Sequence, residues 1–428
     1  MRRLRNDKLC PILNAKVMAQ TSEEVPVIVQ FNGDNNELID EVSNLSSKLK
    51  ADLPLIGGFA GNMSTDVIYR LTAAPEVDYI SFDSQVYALL DVASATMEAT
   101  FPHRRGYDGN GISIAVIDTG VAPHDDLVKP TNRIVAFVDY INKKDETYDD
   151  NGHGTHVAGI IASNGYSSRG KYAGIAPKAN ILSLKALDKN GGGSTSDIIA
   201  ALSYCMEMKE KYNIKIINLS LGTPANNNPA KDPLVRAVEK CVDAGLVVVT
   251  AAGNSGPNLK TILSPGISRD AITVGAADDK RTPEPDDDTI APFSSRGPTS
   301  EGYQKPDLVA PGVNINSLSN TKLDSYTSLS GTSMATPLVS GSLALLMNKH
   351  GDLSPVEYKK LLTSSCIPLD DSKDGQGYGM LNLKLLFNQE DDDSVYEIIE
   401  SDKLGLKTDA LETIITVLIV LFLLDSRI

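Results

Sequence analysis

The 428-residue chain has no tryptophan and only four cysteines, at positions 10, 205, 241 and 366, with no Cys-x-x-Cys pair among them. That spacing gives no basis for a disulfide framework or a zinc ribbon. An excess of basic residues is also missing, because 40 lysines and arginines face 55 aspartates and glutamates and the net charge is −15. Nucleic acid is therefore not expected as a partner.

A clear secretory leader and a long apolar span are missing as well. The basic start (residues 1–5) is followed by a stretch that Asn14 and Lys16 interrupt, so the apolar core of a signal peptide does not form. Residues 414–424 are apolar but fewer than the roughly 20 that a spanning helix needs. We expect a cytoplasmic protein whose apolar tail packs on protein. Membrane contact through the tail, or secretion, is the less favoured alternative.

The sequence contains two regions that differ in the pattern of their apolar residues. Residues 25–86 predict a small α+β domain, with strands at 25–31, 65–71 and 77–86 and a helix at 36–49. From residue 112, nearly continuous apolar runs alternate with helical segments, which is typical of parallel strands covered on both faces. The fold class is therefore α/β, a three-layer domain with a mainly parallel sheet and helices on both faces. The predicted strands are 112–117, 179–186, 214–221, 246–252 and 271–276.

Residues 89–111 lack strong periodicity and predict a linker between the two regions. The domain organisation that follows is a tail at 1–22, a small domain at 23–92, a large domain at 93–388, an acidic linker at 389–410 and an apolar tail at 411–428.

Ser333 lies where a predicted turn is followed by a predicted helix. A turn-prone run, 328–332, precedes a helix-compatible run, 334–347. A nucleophile at a helix N-terminus has free N–H groups and a favourable dipole beside it. Pro337 is expected in or near the first turn, where a missing N–H costs least. The alternative is a simple helix cap, for which Gly-Thr-Ser is also typical.

Three further polar residues follow predicted strands or open predicted helices. Asp118 ends the first strand of the large domain, His153 stands between two glycines before a helix, and Asn254 follows a buried strand. In parallel sheets such groups gather at the carboxyl ends of the strands. His156 suggests a metal pair with His153, but no third ligand is suitably spaced, so zinc is discounted.

Together these residues predict acyl-transfer chemistry. His153 would take the proton of Ser333 as general base, and Asp118 would hold the imidazole in the required tautomer. The amide of Asn254 and the N–H of Ser333 would receive the oxyanion.

The blocks at 118–120, 153–156 and 331–337 resemble the three signature blocks of the subtilase (peptidase S8) family, over roughly residues 112–387. Residues 149–153, 232–238 and 293–298 resemble the intracellular AprX-type members most. The resemblance implies a serine endopeptidase that acts on protein or peptide substrates. Residues 25–90 resemble an inhibitor I9-type propeptide, which implies a zymogen that cleaves itself between Leu89 and Thr100 and is inhibited by its own propeptide until then.

The same resemblance implies a substrate cleft and limits the cofactors. Segments that would pair with substrate backbone or wall the specificity pocket are Gly191, Gly192, Gly193, Ser220, Leu221, Gly222, Ala251, Ala252 and Gly253. Small residues in that wall favour a large apolar or aromatic substrate side chain. No organic cofactor is implied. Residues 163–173 depart from the calcium loop of secreted subtilisins, and the acidic segments 145–150 and 286–288 leave a structural calcium site open.

Alternatives from other classes stay open at this point. A subtilase fold without catalysis could act as a binding protein, although all four catalytic positions are intact. The same triad also serves acyl transfer to an acceptor other than water.

Overall fold

The computed structural model describes residues 8–9, 11–19, 24–32, 42–53, 57–82, 89–225 and 229–388. The chain divides into two compact units, residues 1–86 and 87–428. The predicted linker 389–410 and tail 411–428 lie outside the described residues, as do residues 36–41 of the predicted helix 36–49. No helix among the described residues combines the length and the apolar character needed to cross a membrane.

The first unit is a four-stranded antiparallel sheet with the strand order β2-β3-β1-β4. Its strands are β1 Glu24–Phe31, β2 Lys48–Leu53, β3 Gly58–Ser64 and β4 Val77–Phe82, and its helices are α1 Pro11–Ala19 and α2 Thr65–Leu71. Alternate side chains of β1 are buried, as a strand with one covered face requires. They share a core with Leu13 of α1 and Ile68 of α2.

Three sequence expectations are wrong in this unit. Residues 48–49, predicted as the end of a helix, begin strand β2. Residues 11–19 form helix α1 instead of a loose tail, because Leu13 and Val17, four residues apart, bury one helix face. Residues 65–71 form helix α2 instead of a strand. The hydroxyl of Ser64 caps this helix by accepting from the Val67 N–H, a local contact that outweighs the β propensity of the segment.

The second unit contains a ten-stranded sheet, ordered β15-β16-β12-β10-β9-β8-β5-β7-β6 with β11 paired to β10. All its pairs are parallel except β10/β11 and β15/β16. The strands are β5 Ser113–Asp118, β6 Ile134–Asp139, β7 Asn180–Lys185, β8 Ile214–Leu219, β9 Val247–Ala251, β10 Ile272–Asp278, β11 Thr289–Ile290, β12 Leu308–Pro311, β15 Cys366–Ile367 and β16 Met380–Leu381. A separate hairpin joins β13 Ile315–Leu318 and β14 Tyr326–Leu329.

Helices cover both faces of this sheet and form two buried clusters with it. They are α3 Leu89–Thr96, α4 Thr100–Arg104, α5 Asp125–Val128, α6 His153–Ala162, α7 Thr195–Glu207, α8 Lys209–Tyr212, α9 Pro233–Asp243, α10 Thr332–His350, α11 Pro355–Ser364, α12 Lys373–Gln376 and α13 Leu383–Asn388. Helix α10 packs against α6 and five strands of the sheet. The predicted α/β fold class, with its mainly parallel sheet, is confirmed.

The segment predicted as an irregular linker, 89–111, contains helices α3 and α4 instead. Ala93 and Met97 bury their side chains in the core of the second unit. The two compact units divide at 86/87.

Candidate active site

Parallel strands bring the predicted site residues to one edge of the second unit's sheet. Asp118 is the last residue of β5, and Asn254 follows the end of β9. Two helices begin at the same region, α6 with His153 and α10 with Ser333 as its second residue. The carboxyl edge of the sheet thus carries the polar groups, as expected for this architecture.

Asp118 and His153 form a direct pair. Oδ1 of Asp118 lies 2.8 Å from Nδ1 of His153 and also accepts the Thr119 N–H at 2.7 Å. The carboxylate is fully buried, whereas 27% of the imidazole remains exposed. Burial lowers the pKa of His153, but the charge and hydrogen bond of Asp118 and the charge of Asp149 outweigh it, so the pKa lies above its usual value.

The backbone beside His153 approaches the Asp118 turn very closely. A Cβ at Gly154 would lie 2.1 Å from the carbonyl oxygen of Gly120, so only glycine fits there. The Gly154 N–H donates to Oγ1 of Thr119 at 2.9 Å. This explains in structural terms why a glycine follows the histidine in the sequence.

Asp149 fixes the loop that leads into His153. Its Oδ1 accepts the N–H groups of Asn151 and Gly152, at 3.0 and 2.8 Å. Its Oδ2 accepts the N–H and the hydroxyl of Thr155, at 2.9 and 2.7 Å. One carboxylate thereby joins the loop to the first turn of α6, where its negative charge also favours the helix dipole.

Lys185, at the end of β7, is fully buried beneath the site. Its ammonium donates to the carbonyls of Thr119 and Leu187, at 2.6 and 3.0 Å, and to Oδ1 of Asp150 at 2.6 Å. A single charge therefore holds the turn after Asp118, the loop before His153 and one side of the cleft. Sequence reasoning missed Lys185 because a lysine in a strand usually indicates an exposed position.

Ser333 is turned toward Ser220 rather than toward the imidazole. Its hydroxyl donates to the Ser220 carbonyl at 3.1 Å, and these described residues show no Ser333–His153 hydrogen bond. Without substrate, such catalytic hydrogen bonds are often long or misaligned. Gly331 is the N-cap residue of α10 and has no side chain with which to cap the helix.

Pro337 lies in the second turn of α10, near the first turn as the sequence suggested. Because proline has no N–H, the Ser333 carbonyl lacks its helical donor. The Ser220 hydroxyl donates to that carbonyl at 2.9 Å and itself accepts from Nδ2 of Asn218 at 3.0 Å.

Asn254 is oriented by Thr332. Oδ1 of Asn254 accepts the Thr332 N–H at 2.9 Å and the Thr332 hydroxyl at 3.0 Å. That hydroxyl accepts the Gly253 N–H at 3.2 Å, so its own hydrogen is free to donate to Asn254. These donors identify the amide oxygen, and Nδ2 is left as a donor beside the start of α10.

His156 does not form a metal pair with His153. Its Nε2 lies 3.0 and 3.1 Å from the carbonyls of Ile315 and Thr327, so Nε2 carries the proton. Burial, with the charge of His153, lowers the pKa of His156 to about 4. Among the described residues, no three His, Cys, Asp or Glu side chains gather as a metal site.

A cleft of about 500 Å³ opens beside His153. Six of the predicted substrate-binding residues line it: Gly191, Gly192, Gly193, Ser220, Leu221 and Gly222. Further lining residues that sequence reasoning did not identify are Thr119, Asn151, Leu187, Thr195, Ile198, Thr223 and Leu234. Three of these side chains are apolar, which a search for polar functional groups overlooks.

The other predicted wall of the cleft is not part of this lining. Ala251 and Ala252 are buried, and Ala252 packs with Val235 and Ile262. Gly253 is covered by Leu263, whose Cγ would lie 2.6 Å from a Cβ at position 253.

Comparisons with known proteins agree with this arrangement. The subtilase family profile (Peptidase S8) matches residues 109–382. Serine protease AprX of Bacillus subtilis (strain 168) is 42% identical over 369 residues, which cover 80% of this chain and 83% of that protein. Subtilisin DY of Bacillus licheniformis is 35% identical over 285 residues, which cover 65% and 92% of the two chains.

Solved structures give the same result. Sphericase superposes with a TM-score of 0.56 at 31% identity, over 64% of this chain and 92% of that chain. A cold adapted subtilisin-like serine proteinase superposes with a TM-score of 0.52 at 31% identity, over 64% and 88%. The chain therefore belongs to the subtilase family of serine proteases and is a subtilisin-like serine endopeptidase.

Proposed function

We propose that Asp118, His153 and Ser333 are the catalytic triad of this endopeptidase. This assignment rests on the 2.8 Å contact between the buried Asp118 carboxylate and Nδ1 of His153. That hydrogen bond leaves Nε2 unprotonated in the neutral ring, and Nε2 is the atom that accepts the Ser333 proton. Asp118 then stabilises the imidazolium that results.

The chemistry proceeds in two acyl-transfer steps. The Ser333 oxygen attacks the scissile carbonyl while its proton passes to His153; the C–N bond then breaks and His153 returns the proton to the leaving amine. A water molecule, deprotonated by His153, releases the acyl group and regenerates the hydroxyl. Both steps pass through a tetrahedral oxyanion.

Two donors are suited to that oxyanion. Thr332 occupies the amide oxygen of Asn254, so Nδ2 is the atom of this side chain that can donate to an oxyanion. The N–H of Ser333 lies in the first turn of α10, where backbone donors have no intrahelical acceptor. A neutral amide stabilises the charge without acting as a base.

The cleft suits an extended peptide. Glycines 191–193 on one side and residues 220–222 on the other leave backbone groups accessible for pairing with a substrate strand. Leu187, Ile198 and Leu234 supply apolar surface. We assign protein or peptide substrates with a large apolar or aromatic side chain near the scissile bond.

The zymogen organisation is part of the proposal. Residues 23–92 would be the propeptide and 93–388 the mature catalytic domain, with self-cleavage between Leu89 and Thr100. The family resemblance and the separate compactness of residues 1–86 support this division. The propeptide would be the chain's own inhibitor until it is removed.

We place the protein in the cytoplasm because residues 149–153, 232–238 and 293–298 resemble those of the intracellular AprX-type proteases. No organic cofactor enters the mechanism. Locating the mature protein in cell fractions tests the first assignment. Recovery in the membrane fraction or the medium would contradict it.

The decisive experiment follows intact mass over time for the purified chain and a Ser333→Ala variant. We expect the wild type alone to split near residue 90 and then to cleave casein. If both proteins stay at full length and are inert across a range of pH and calcium concentration, self-maturation is wrong, and activation by another protease or a binding function without catalysis becomes the better explanation.

A further inference from the structure

The loop between β10 and β11 carries two buried acidic side chains. This β10–β11 loop (residues 279–288) is closed by antiparallel pairing of Asp278 with Thr289 at its base. Asp279 is 3% exposed and Asp288 is 6% exposed. Carboxylates are rarely buried to this degree unless a cation or several donors accompany them.

Among the described residues, no hydrogen-bond donor accompanies the Asp288 carboxylate. Both of its carboxylate oxygens are buried and neither accepts a hydrogen bond. Burial, followed by the charge of Asp279, raises the pKa of Asp288 to about 7. Burial likewise raises the pKa of Asp279 to about 6. The charge of Asp279 therefore acts on Asp288, and both carboxylates are desolvated.

The cationic side chains beside the loop do not neutralise Asp288. The Lys280 ammonium donates to Asp278, at 2.7 Å from Oδ2. The Arg281 contact with Asp279 comes from the backbone N–H, 3.1 Å from Oδ1. Asp288 is therefore the carboxylate without a partner, whereas Asp279 accepts the Arg281 N–H.

The remaining contacts hold the loop in place around this pair. The Thr282 N–H donates to the Asp279 carbonyl at 2.9 Å, and the Thr282 hydroxyl donates to Oδ1 of Asp287 at 2.7 Å. Oγ1 of Thr96 donates to the Thr282 carbonyl at 3.0 Å. The loop is thus shaped by its own hydrogen bonds, while the carboxylate at its buried side lacks a partner.

We propose that Asp279 and Asp288 bind a calcium ion within the β10–β11 loop. Calcium accepts about six to eight oxygen ligands and combines carboxylates with backbone carbonyls and water. Two carboxylates without nitrogen or sulfur ligands suit this hard cation and not zinc. The bound ion would neutralise Asp288 and, through Thr282 and Thr96, fasten the loop to helix α3.

The test uses the full chain with Ser333→Ala, so that hydrolysis does not interfere. Calcium binding is measured by isothermal titration, and the unfolding midpoint is measured in calcium and in EDTA. Asp288→Asn removes the charge with little change in shape, and Asp286→Asn is the matched control, because Asp286 is an exposed carboxylate of the same loop.

We expect the parent and Asp286→Asn to bind calcium with the same stoichiometry and to unfold at a higher temperature in its presence. Asp288→Asn should bind one ion fewer and lose that part of the shift, and Asp279→Asn should bind at least tenfold more weakly. In EDTA, Asp288→Asn should be at least as stable as the parent, because an unpaired buried charge is gone.

Unchanged stoichiometry and an unchanged calcium shift in Asp288→Asn would overturn the proposal. So would a parent that binds no calcium, since Asp288 would then be a buried acid without a cation. Neither result depends on whether the enzyme is active.

Discussion

Ser220 and Ser333 exchange two hydrogen bonds across the cleft edge. The Ser220 hydroxyl donates to the Ser333 carbonyl at 2.9 Å, and the Ser333 hydroxyl donates to the Ser220 carbonyl at 3.1 Å. The first bond replaces the helical donor that Pro337 lacks. The second occupies the carbonyl of Ser220, a residue that lines the cleft. A substrate N–H that bound this carbonyl would release the Ser333 hydroxyl.

The first prediction concerns the Ser220 hydroxyl. Ser220→Ala should lower the free energy of unfolding by about 1–2 kcal/mol, because the Ser333 carbonyl loses its donor. It should also lower kcat, because the start of α10 is no longer held. Ser183→Ala is the matched control, since the Ser183 hydroxyl is buried without a partner among the described residues and its loss should be neutral or stabilising. Urea unfolding in the Ser333→Ala background measures the stabilities, and equal losses in the two variants would contradict the assignment.

The second prediction concerns the pH dependence of activity. In the proposed mechanism His153 can act as a base only when neutral, and its pKa lies above the usual value because of Asp118. The rising limb of kcat/KM should therefore lie on the alkaline side of about pH 6.5. Asp118→Asn should lower kcat by about 10⁴-fold, the scale known from serine proteases. A pH–rate profile on a fluorogenic peptide checks both, and a variant with normal activity would remove Asp118 from the mechanism.

A third prediction tests the amide donor. Asn254→Ala should reduce kcat by about 10²–10³-fold with little change in KM, a magnitude taken from the oxyanion hole of subtilisin, which is a relative of this chain. Asn258→Ala, at an exposed asparagine nearby, serves as the control. Steady-state kinetics distinguish stabilisation of the transition state from a ground-state contact, because a rise in KM at constant kcat would indicate the latter.

Lys185 gives a fourth prediction. Lys185→Met should destabilise the enzyme by about 2–3 kcal/mol and lower kcat, because three segments of the site lose a shared charged donor. Lys178→Met removes an exposed ion pair with Asp108 and should cost less than about 1 kcal/mol. Denaturant unfolding and kinetics on both variants test this. Comparable losses would mean that burial of Lys185 has no special role.

A fifth prediction concerns stability in acid. The pKa of His156 is about 4 in the folded protein and near 6.5 when unfolded, so the unfolded state binds more protons between these values. This group's stabilising contribution is complete above pH 6.5 and is lost as the pH falls, by about 2 kcal/mol between pH 7 and pH 5. His156→Gln keeps a donor toward Ile315 but does not titrate. Between pH 7 and pH 5 the free energy of unfolding should therefore fall by about 2 kcal/mol less in His156→Gln than in the parent. Equal falls in the two proteins, measured by denaturant unfolding at each pH, would refute the prediction.

The large domain was predictable because its strands are apolar on both faces and its polar site residues follow them directly in sequence. Asp118, His153 and Asn254 each stand at the end of a strand or the start of a helix, where local pattern and tertiary position agree. The small unit was harder to predict. Residues 65–71 are rich in strand-forming types, yet the Ser64 cap and the burial of Ile68 produce a helix.

The parts of the site that the sequence did not reveal depend on contacts between distant residues. The role of Lys185 needs the carbonyls of Thr119 and Leu187 on other segments, and no spacing rule connects them. The donor for the Ser333 carbonyl is Ser220, 113 residues away. Apolar cleft residues such as Leu234 have the same sequence pattern as ordinary core residues.

Helix α10 has one more consequence. From Met334 to Met347 every residue is buried, and the helix packs against α6 and the central strands. Ser333 therefore sits on what should be among the slowest-exchanging parts of the domain in hydrogen exchange, since such elements open only with the whole structure. Heat inactivation of this enzyme should then coincide with cooperative unfolding of the domain. An earlier step in which only the site unfolds is not expected.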